Sequence, residues 1–328
     1  MKALVTGGTG FVGSHVVRHL IDEGHSVRVL HRETSRLLAL DGLTYETALG
    51  DLNDTDALLA ACSSMNWVFH VAAVADYWRS DKAQLYEANV EGTKRLLQAA
   101  REAGVERVVF TSSAAAVGLR DDREHRPSDE TEPFNLPPDW FPYAHSKALA
   151  EQAIAEAVEE GQDVVIVNPV IVMGPGDLNM ISGSFITQIK KMGALVPVTS
   201  GGVAVVDVRD VARWHVQAAE KGRTGERYLL GTANYTLREW YGMIADVVGV
   251  RRPFIPVPDL AAPLTANAIA LVRRLGFSTP VDPTQARMGI RKVYFDYSKA
   301  WAEFGGPQID MRQSLQDTYD WYLANGYL

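Results

Sequence analysis

The sequence predicts an α/β fold, a doubly wound parallel sheet with a smaller C-terminal domain. Three observations lead there. Short apolar runs alternate with helix-like segments through the first half of the 328-residue chain. Most of those runs are continuous or nearly so, the pattern of strands buried on both faces rather than one. The first run stops in a cluster of glycines and passes at once into an amphipathic helix, a strand, tight turn and helix N-terminus within a dozen residues.

Strands are predicted at residues 3–6, 26–30, 44–49, 67–71, 107–112 and 164–172, and helices at 12–23, 54–61, 82–103 and 143–159. Strand and helix in alternation imply a parallel sheet with helices on both faces, whose ligands lie beyond the C-terminal strand ends. Residues 120–142 hold Pro127, Pro133, Pro137, Pro138 and Pro142 among many charges. They read as a long surface loop, placed to serve as a lid, that ends where a helix begins. Past residue 174 the rhythm loosens. Strands return at 203–208 and 227–230, residues 253–258 form a rigid connector, and helices follow at 260–275, 298–304 and 312–325. The expected division is a main domain over 1–174, rejoined by 203–232, and a smaller domain from 175–202 and 233–328.

Bulk properties narrow the classes. A formal net charge of −8 argues against nucleic-acid binding, which needs a basic face. Cys62 is the one cysteine, so there is no intrachain disulfide and no cysteine metal cluster, and no metal is expected. The chain starts with a strand rather than a signal peptide, and its longest apolar stretch, near 260–272, is too short to span a bilayer. A cytoplasmic setting without a membrane partner is the expectation.

The opening Thr6-Gly7-Gly8-Thr9-Gly10-Phe11-Val12-Gly13 is suited to a dinucleotide pyrophosphate. Glycines let the backbone approach the phosphates, and the free N–H groups of the helix start, at Phe11, Val12 and Gly13, face the negative charge. No Gly-Lys-Ser/Thr follows, so a P-loop is excluded. Folds of this kind usually end their second strand in an acid that binds the adenosine ribose 2′-hydroxyl. Here that strand ends His31-Arg32. A guanidinium binds a 2′-phosphate that a carboxylate would repel, so NADPH/NADP is the expected cofactor. Arg32 would sit on the 2′-phosphate, assisted by Arg36 or His31, while the adjoining Glu33 leaves NADH/NAD possible. Asp51, ending the third strand, is expected at the adenine amine, or else as a turn residue before the next helix.

Tyr143-Ala-His-Ser-Lys147 opens the helix after the proline-rich loop, with the tyrosine and lysine one turn apart on one face. A lysine ammonium close by favours a phenolate and so lowers the tyrosine pKa; the same ammonium can hold the nicotinamide ribose. Ser113, just past the fifth strand, offers a hydroxyl to a carbonyl oxygen. Asn89 is read as holding its helix backbone or a relay water, and His145, at i+2 from Tyr143, points elsewhere.

Gly7-x-x-Gly10-x-x-Gly13, Asp51-Leu52, His70-Val71-Ala72-Ala73, Asn89-Val90, Ser112-Ser113, Tyr143-x-x-x-Lys147 and Asn168-Pro169 follow in order along the chain. With them the sequence resembles the extended short-chain dehydrogenase/reductases, or NAD-dependent epimerase/dehydratase family, over nearly its whole length. The resemblance implies a Rossmann-type nucleotide domain with a C-terminal substrate domain, and Ser113, Tyr143 and Lys147 as the catalytic triad. It also implies cofactor contacts at Leu52, Ala72, Pro169 and Val172, and a homodimer formed through the helices that carry Asn89 and Tyr143. Nucleotide-sugar enzymes of the family usually carry an asparagine where this chain has Ile171 and a tyrosine where it has Val117. The dihydroflavonol-4-reductase-like and cinnamoyl-CoA-reductase-like branch accepts both residues and favours an arginine near position 32. The expected function is therefore NADPH-dependent reduction of a ketone or aldehyde carbonyl on a small molecule, with a nucleotide-sugar epimerase or dehydratase as the alternative. Segments 287–292 and 321–328 also resemble bacterial proteins labelled hopanoid-associated sugar epimerases. Candidate pocket residues are Asp76, Tyr77, Trp78, Trp140, Phe141 and the stretch 173–185. Arg273, Arg274, Arg287, Arg291 and Lys292 form a basic group that would suit a phosphate or carboxylate, or a solvated face.

Overall fold

The computed structural model describes residues 1–75, 81–120, 126–260, 267–270, 272–273 and 288–328. The first half runs β1 (Lys2–Thr6), α1 (Phe11–Asp22), β2 (Ser26–His31), β3 (Glu46–Leu49), α2 (Thr55–Cys62), β4 (Trp67–His70), α3 (Lys82–Tyr86), α4 (Gly92–Glu102), β5 (Arg107–Thr111) and α5 (Pro142–Glu159). It continues β6 (Val164–Pro169), β7 (Ile171–Met173), α6 (Ser184–Met192), β8 (Pro197–Val198), β9 (Gly202–Asp207), α7 (Val208–Lys221), β10 (Arg227–Leu230), β11 (Ala233–Thr236) and α8 (Leu237–Val248). Last come β12 (Ile255–Pro256), α9 (Ser298–Phe304) and α10 (Met311–Ala324).

The main sheet is seven strands in the order β10-β6-β5-β4-β1-β2-β3, all parallel. Its strands read as unbroken apolar runs because successive side chains enter two different cores. Ala3, Val5, Val29, Phe69, Val109 and Val165 pack on one face with α1 (Val16, Val17, Leu20) and α7 (Val211, Trp214, Ala218). Leu4, Leu30, Val68, Val108, Phe110 and Ile166 pack on the other with α2 (Leu58), α4 (Leu96, Leu97) and α5 (Ala150, Ile154). A third core joins α6, α8 and α10 through Ile186, Ile189, Trp240, Ile244, Leu315 and Tyr322. It backs a three-stranded sheet ordered β11-β9-β7.

The structure departs from three predicted elements, and it adds α6, α8 and the short strands β8, β11 and β12, the last within the stretch read as a connector. The run 164–172 is two strands in two sheets: Val170 N makes a last bond to Leu230 O (3.1 Å), and Ile171 then pairs with Val205. Pro169, which has no N–H, stands at the division. The single helix expected over 82–103 is interrupted by a π-helical turn, Glu87–Glu91, between α3 and α4. The described part of the proline-rich loop is tied down rather than free to swing. Asn135 pairs with both the N–H and the C=O of Leu119 (3.0 and 2.8 Å), and Ser128 bonds the backbone of Tyr294 and Asp296 (2.9 Å each). Arg120 spans Asp129 and Glu132. The helix expected over 260–275 lies largely outside the described residues. No described helix is long and apolar enough to cross a membrane.

Site geometry starts in the β1–α1 turn. Gly7 has φ +72°, and a Cβ on it would stand 2.6 Å from Ala72 N. A Cβ on Gly13 would stand 2.1 Å from Gly7 O, inside any real contact. Gly13→Ala is therefore expected to lose about 1–3 kcal/mol of stability, the usual cost of overpacking. A denaturation midpoint equal to the wild type would contradict this close packing.

Candidate functional site

The β1–α1 turn has the features of an anion cradle. Gly10 N closes on Gly7 O (3.0 Å), and α1 begins with no side-chain cap and no acid in its first turn. Its leading N–H groups thus lack intrahelical partners, as every helix start does, and no carboxylate of its own first turn competes for them. Ala72 lies against Gly7 from the end of β4. Past β2, Arg32 is exposed and lines an open cavity of about 740 Å³ with Glu33, Leu49, Gly50, Asp51, Asn53, Asp54, Thr55 and Asp56. His31 is buried; its Nδ1 contacts Arg32 O (3.0 Å), and its buried Nε2 has no hydrogen-bond partner among the described residues. Asp51 Oδ1 accepts from Asn53 N (2.7 Å), the turn role weighed above, while still facing the cavity. Leu52 packs on Gly92 of α4, and its carbonyl accepts from Arg95 Nε (2.7 Å). The uncapped helix start, the glycine-rich turn and the buried His31 nitrogen at the far end fit a dinucleotide.

At the other end, β5 and α5 bring Ser113, Tyr143 and Lys147 together. Pro142 occupies the first turn of α5, where its missing N–H would be unpaired in any case. The Ser113 hydroxyl lies near the Tyr143 phenol and favours its ionised form. Ser113 is half-buried, and its Oγ accepts from Ala115 N (3.2 Å). Lys147 is 2% exposed; its Nζ donates to Thr111 O (2.8 Å) and lies 4.7 Å from the centre of the Phe110 ring.

Burial governs the protonation of this group. It pushes the Tyr143 phenol above its ordinary value, against the pull of the Ser113 hydroxyl. It pulls the Lys147 amine down to about 7, with the Glu151 carboxylate opposing. The expected lowering of the tyrosine by the lysine is thus not what the resting site gives: desolvation raises the phenol, and the one opposing pull comes from Ser113. His70, in the neighbouring strand, is pulled to about 3 by burial and then by the Lys147 charge. The resulting neutral imidazole bridges Thr6 Oγ1 (2.8 Å) and Thr93 Oγ1 (3.0 Å), which ties the glycine strand to α4.

Asn89 is structural. From the π-helical turn it bonds both backbone groups of Val74 (2.8 and 3.1 Å) and donates to Ser146 Oγ (3.0 Å), joining the β4 exit to α5. His145 turns away toward Tyr86 Oη (2.8 Å) and the Phe134 ring. Pro169 is buried at the end of β6, and Val172 is half-buried in β7. Of the pocket candidates, Trp140 is exposed, Met173 belongs to the third core, and Phe185 packs edge-on against Trp240. Asp76, Tyr77, Trp78, Arg274 and Arg287 lie outside the described residues. Arg291 and Lys292 line up beside Gly202, whose N–H donates to Arg291 O (3.1 Å).

Residue-type reasoning missed Glu151, Asn168 as a side-chain donor, and Arg227. Glu151 had a readable signal: it continues the Tyr143–Lys147 face one turn on.

The model of the NAD dependent epimerase/dehydratase family matches residues 3–231. A Synechocystis sp. protein provisionally named dihydroflavonol 4-reductase is 38% identical over 333 residues, covering 99% of this chain and 95% of its own. Cinnamoyl-CoA reductase 1 of Petunia hybrida is 33% identical, covering 80% of each chain. Among solved structures, a double mutant of DesIV, the dTDP-glucose 4,6-dehydratase of Streptomyces venezuelae with NAD and DAU bound, superposes with a TM-score of 0.78. It is 27% identical and covers 100% of this chain and 98% of its own. The chain belongs to the NAD-dependent epimerase/dehydratase family: it is an NAD(P)-dependent oxidoreductase of the extended short-chain dehydrogenase/reductase type, in the dihydroflavonol-4-reductase-like branch.

Proposed function

We propose that the protein reduces a ketone or aldehyde carbonyl on a small molecule, with NADPH as the reductant. The carrying observation is the Tyr143 phenol near the Ser113 hydroxyl, one helical turn from a buried Lys147 whose Nζ is fixed by Thr111 O (2.8 Å). When bound, the cofactor supplies the hydride. Tyr143 Oη passes its proton to the carbonyl oxygen as charge builds there. Ser113 Oγ hydrogen-bonds the same oxygen and steadies the developing charge. Lys147 Nζ, fixed by Thr111 O, holds the ribose hydroxyls and favours the phenolate left behind. A phenol raised by burial suits an acid that must remain protonated until the oxygen claims its proton.

Ile171 and the fully buried Val117 support a carbonyl substrate over a nucleotide sugar, since neither presents a polar group for a sugar-nucleotide phosphate. The likeness to a dTDP-glucose 4,6-dehydratase keeps the second reading alive. An epimerase or dehydratase recycles its cofactor, so net consumption of added NADPH across a carbonyl panel separates the two.

For the cofactor, Arg32 at the open cavity is the proposed 2′-phosphate ligand, with His31 and Arg36 close in sequence. Arg32→Ala is expected to lower kcat/KM for NADPH about 10-fold or more, in line with about 1.5–3 kcal/mol for bonds to charged groups, and to spare NADH. Equal wild-type efficiencies with NADH and NADPH would sink this assignment. Tyr143→Phe is expected to cut turnover by about 10²–10⁴-fold while NADPH affinity, read by fluorescence, stays near the wild type. Substantial remaining turnover would remove Tyr143 from the acid role.

A further inference from the structure

Glu151 lies one turn beyond Lys147 on α5 and takes no part in the chemistry above. It is 9% exposed, a depth at which a carboxylate needs partners. They come from around three strands. Ser112 Oγ, just past β5, donates to Oε1; Asn168 Nδ2, on β6, donates to the same oxygen (2.7 Å); Arg227 Nη1, on β10, reaches Oε2 (3.2 Å). Asn168 Nδ2 also donates to the Ser113 carbonyl (3.0 Å). Flipping that amide would set its oxygen against two acceptors, so its orientation is determined. One carboxylate thus holds the amide that holds Ser113, and it lies on the helix face that carries Lys147.

We propose that Glu151 is a positioning residue, whose carboxylate is the counter-charge of the Lys147 ammonium and the acceptor that keeps Ser113 in register with Tyr143. This rests on the assignment of Lys147 to the cofactor ribose. Among the described residues, the other groups around Lys147 do not supply that counter-charge. Tyr143, on the same helix, stays neutral because burial raises its phenol. His70, from β4, is pulled to about 3, and His215 of α7, bonded to Thr111 Oγ1 (2.8 Å), to about 4. Both imidazoles are therefore uncharged above about pH 5. The Phe110 ring offers only its face. Arg227, beyond Glu151, is a cation and acts in the opposite sense.

The experiment measures NADH affinity by fluorescence from about pH 5.5 to about pH 9, a range wide enough to follow a one-unit shift. NADH is the probe because it has no 2′-phosphate to titrate in that range. Lys147 sits at about 7, so wild-type affinity is expected to fall as pH rises through that value and the ammonium is lost. In Glu151→Gln the midpoint moves acid by about 1 unit or more, and Glu151→Asp brings it back toward the wild type. Arg227→Gln, at a side chain 22% exposed, removes the opposing cation and moves the midpoint alkaline. That variant decides the matter should Glu151→Gln fail to fold. A midpoint that does not move, with affinity lowered evenly at every pH, overturns the proposal and leaves Glu151 a packing role. Lys147→Met separates this from the reading beneath it. If the midpoint vanishes there yet stays put in Glu151→Gln, the Glu151 proposal falls alone. If it survives in Lys147→Met, the Lys147 assignment falls and the proposal with it.

Discussion

A lysine only 2% exposed is the constraint around which this site is arranged. An ammonium out of water is unfavourable unless charge, hydrogen bonds and a polarisable surface replace its hydration. Here the Thr111 carbonyl, the Phe110 ring face and the Glu151 carboxylate supply these, from the end of β5, its interior and the next turn of α5. Each supplier has further ties. Thr111 Oγ1 is bonded to His215 of α7, and Glu151 collects Ser112, Asn168 and Arg227. Arg227 reaches on to the carbonyls of Glu130 and Glu132 in the proline-rich segment. That segment is therefore part of the frame around Lys147, which is why its proline content does not make it a lid.

The same construction explains the sheet order. Parallel strands bring their C-terminal ends to one edge, and the two ends of the site emerge from that edge. β1 and β2 deliver the glycine turn and Arg32; β5 and β6 deliver Ser113 and Asn168. Between them β4 contributes His70, whose neutral ring joins Thr6 of the glycine strand to Thr93 of α4 through two bonds. Asn89 does the corresponding work between the β4 exit and α5. Its π-helical turn is where α3 hands over to α4, and such turns recur where a side chain has to be re-aimed.

The nucleotide half was legible because its signals are local. Unbroken apolar runs require two buried faces, and Gly7 and Gly13 require the turn that excludes a side chain from 2.6 and 2.1 Å approaches. Tyr143 and Lys147 are one helical turn apart in the chain itself. What escaped was set by distant contacts. The break between β6 and β7 depends on Val205 and Leu230, far along the chain. Asn168 reads as a strand residue until Ser113 and Glu151 are placed beside it. α8 is an exception, since its capping box, Thr236 with Glu239, is a sequence pattern that marks a helix start without any tertiary knowledge.

Burying Lys147 also sets stability against chemistry. Its amine titrates near 10.5 in an unfolded chain and at about 7 when folded. Between those values the unfolded state holds the extra proton, so this residue's penalty on folding eases as pH rises through that window and is greatest below about 7. The role assigned to the side chain runs the other way, because holding ribose hydroxyls and favouring a phenolate both call for the ammonium. A fold selected for stability alone would place an apolar residue here, as buried ion pairs seldom surpass a well-packed hydrophobic replacement. The retention of a lysine at this depth, with a carboxylate held one turn along the same helix by three further side chains, is what a site selected for its charge looks like.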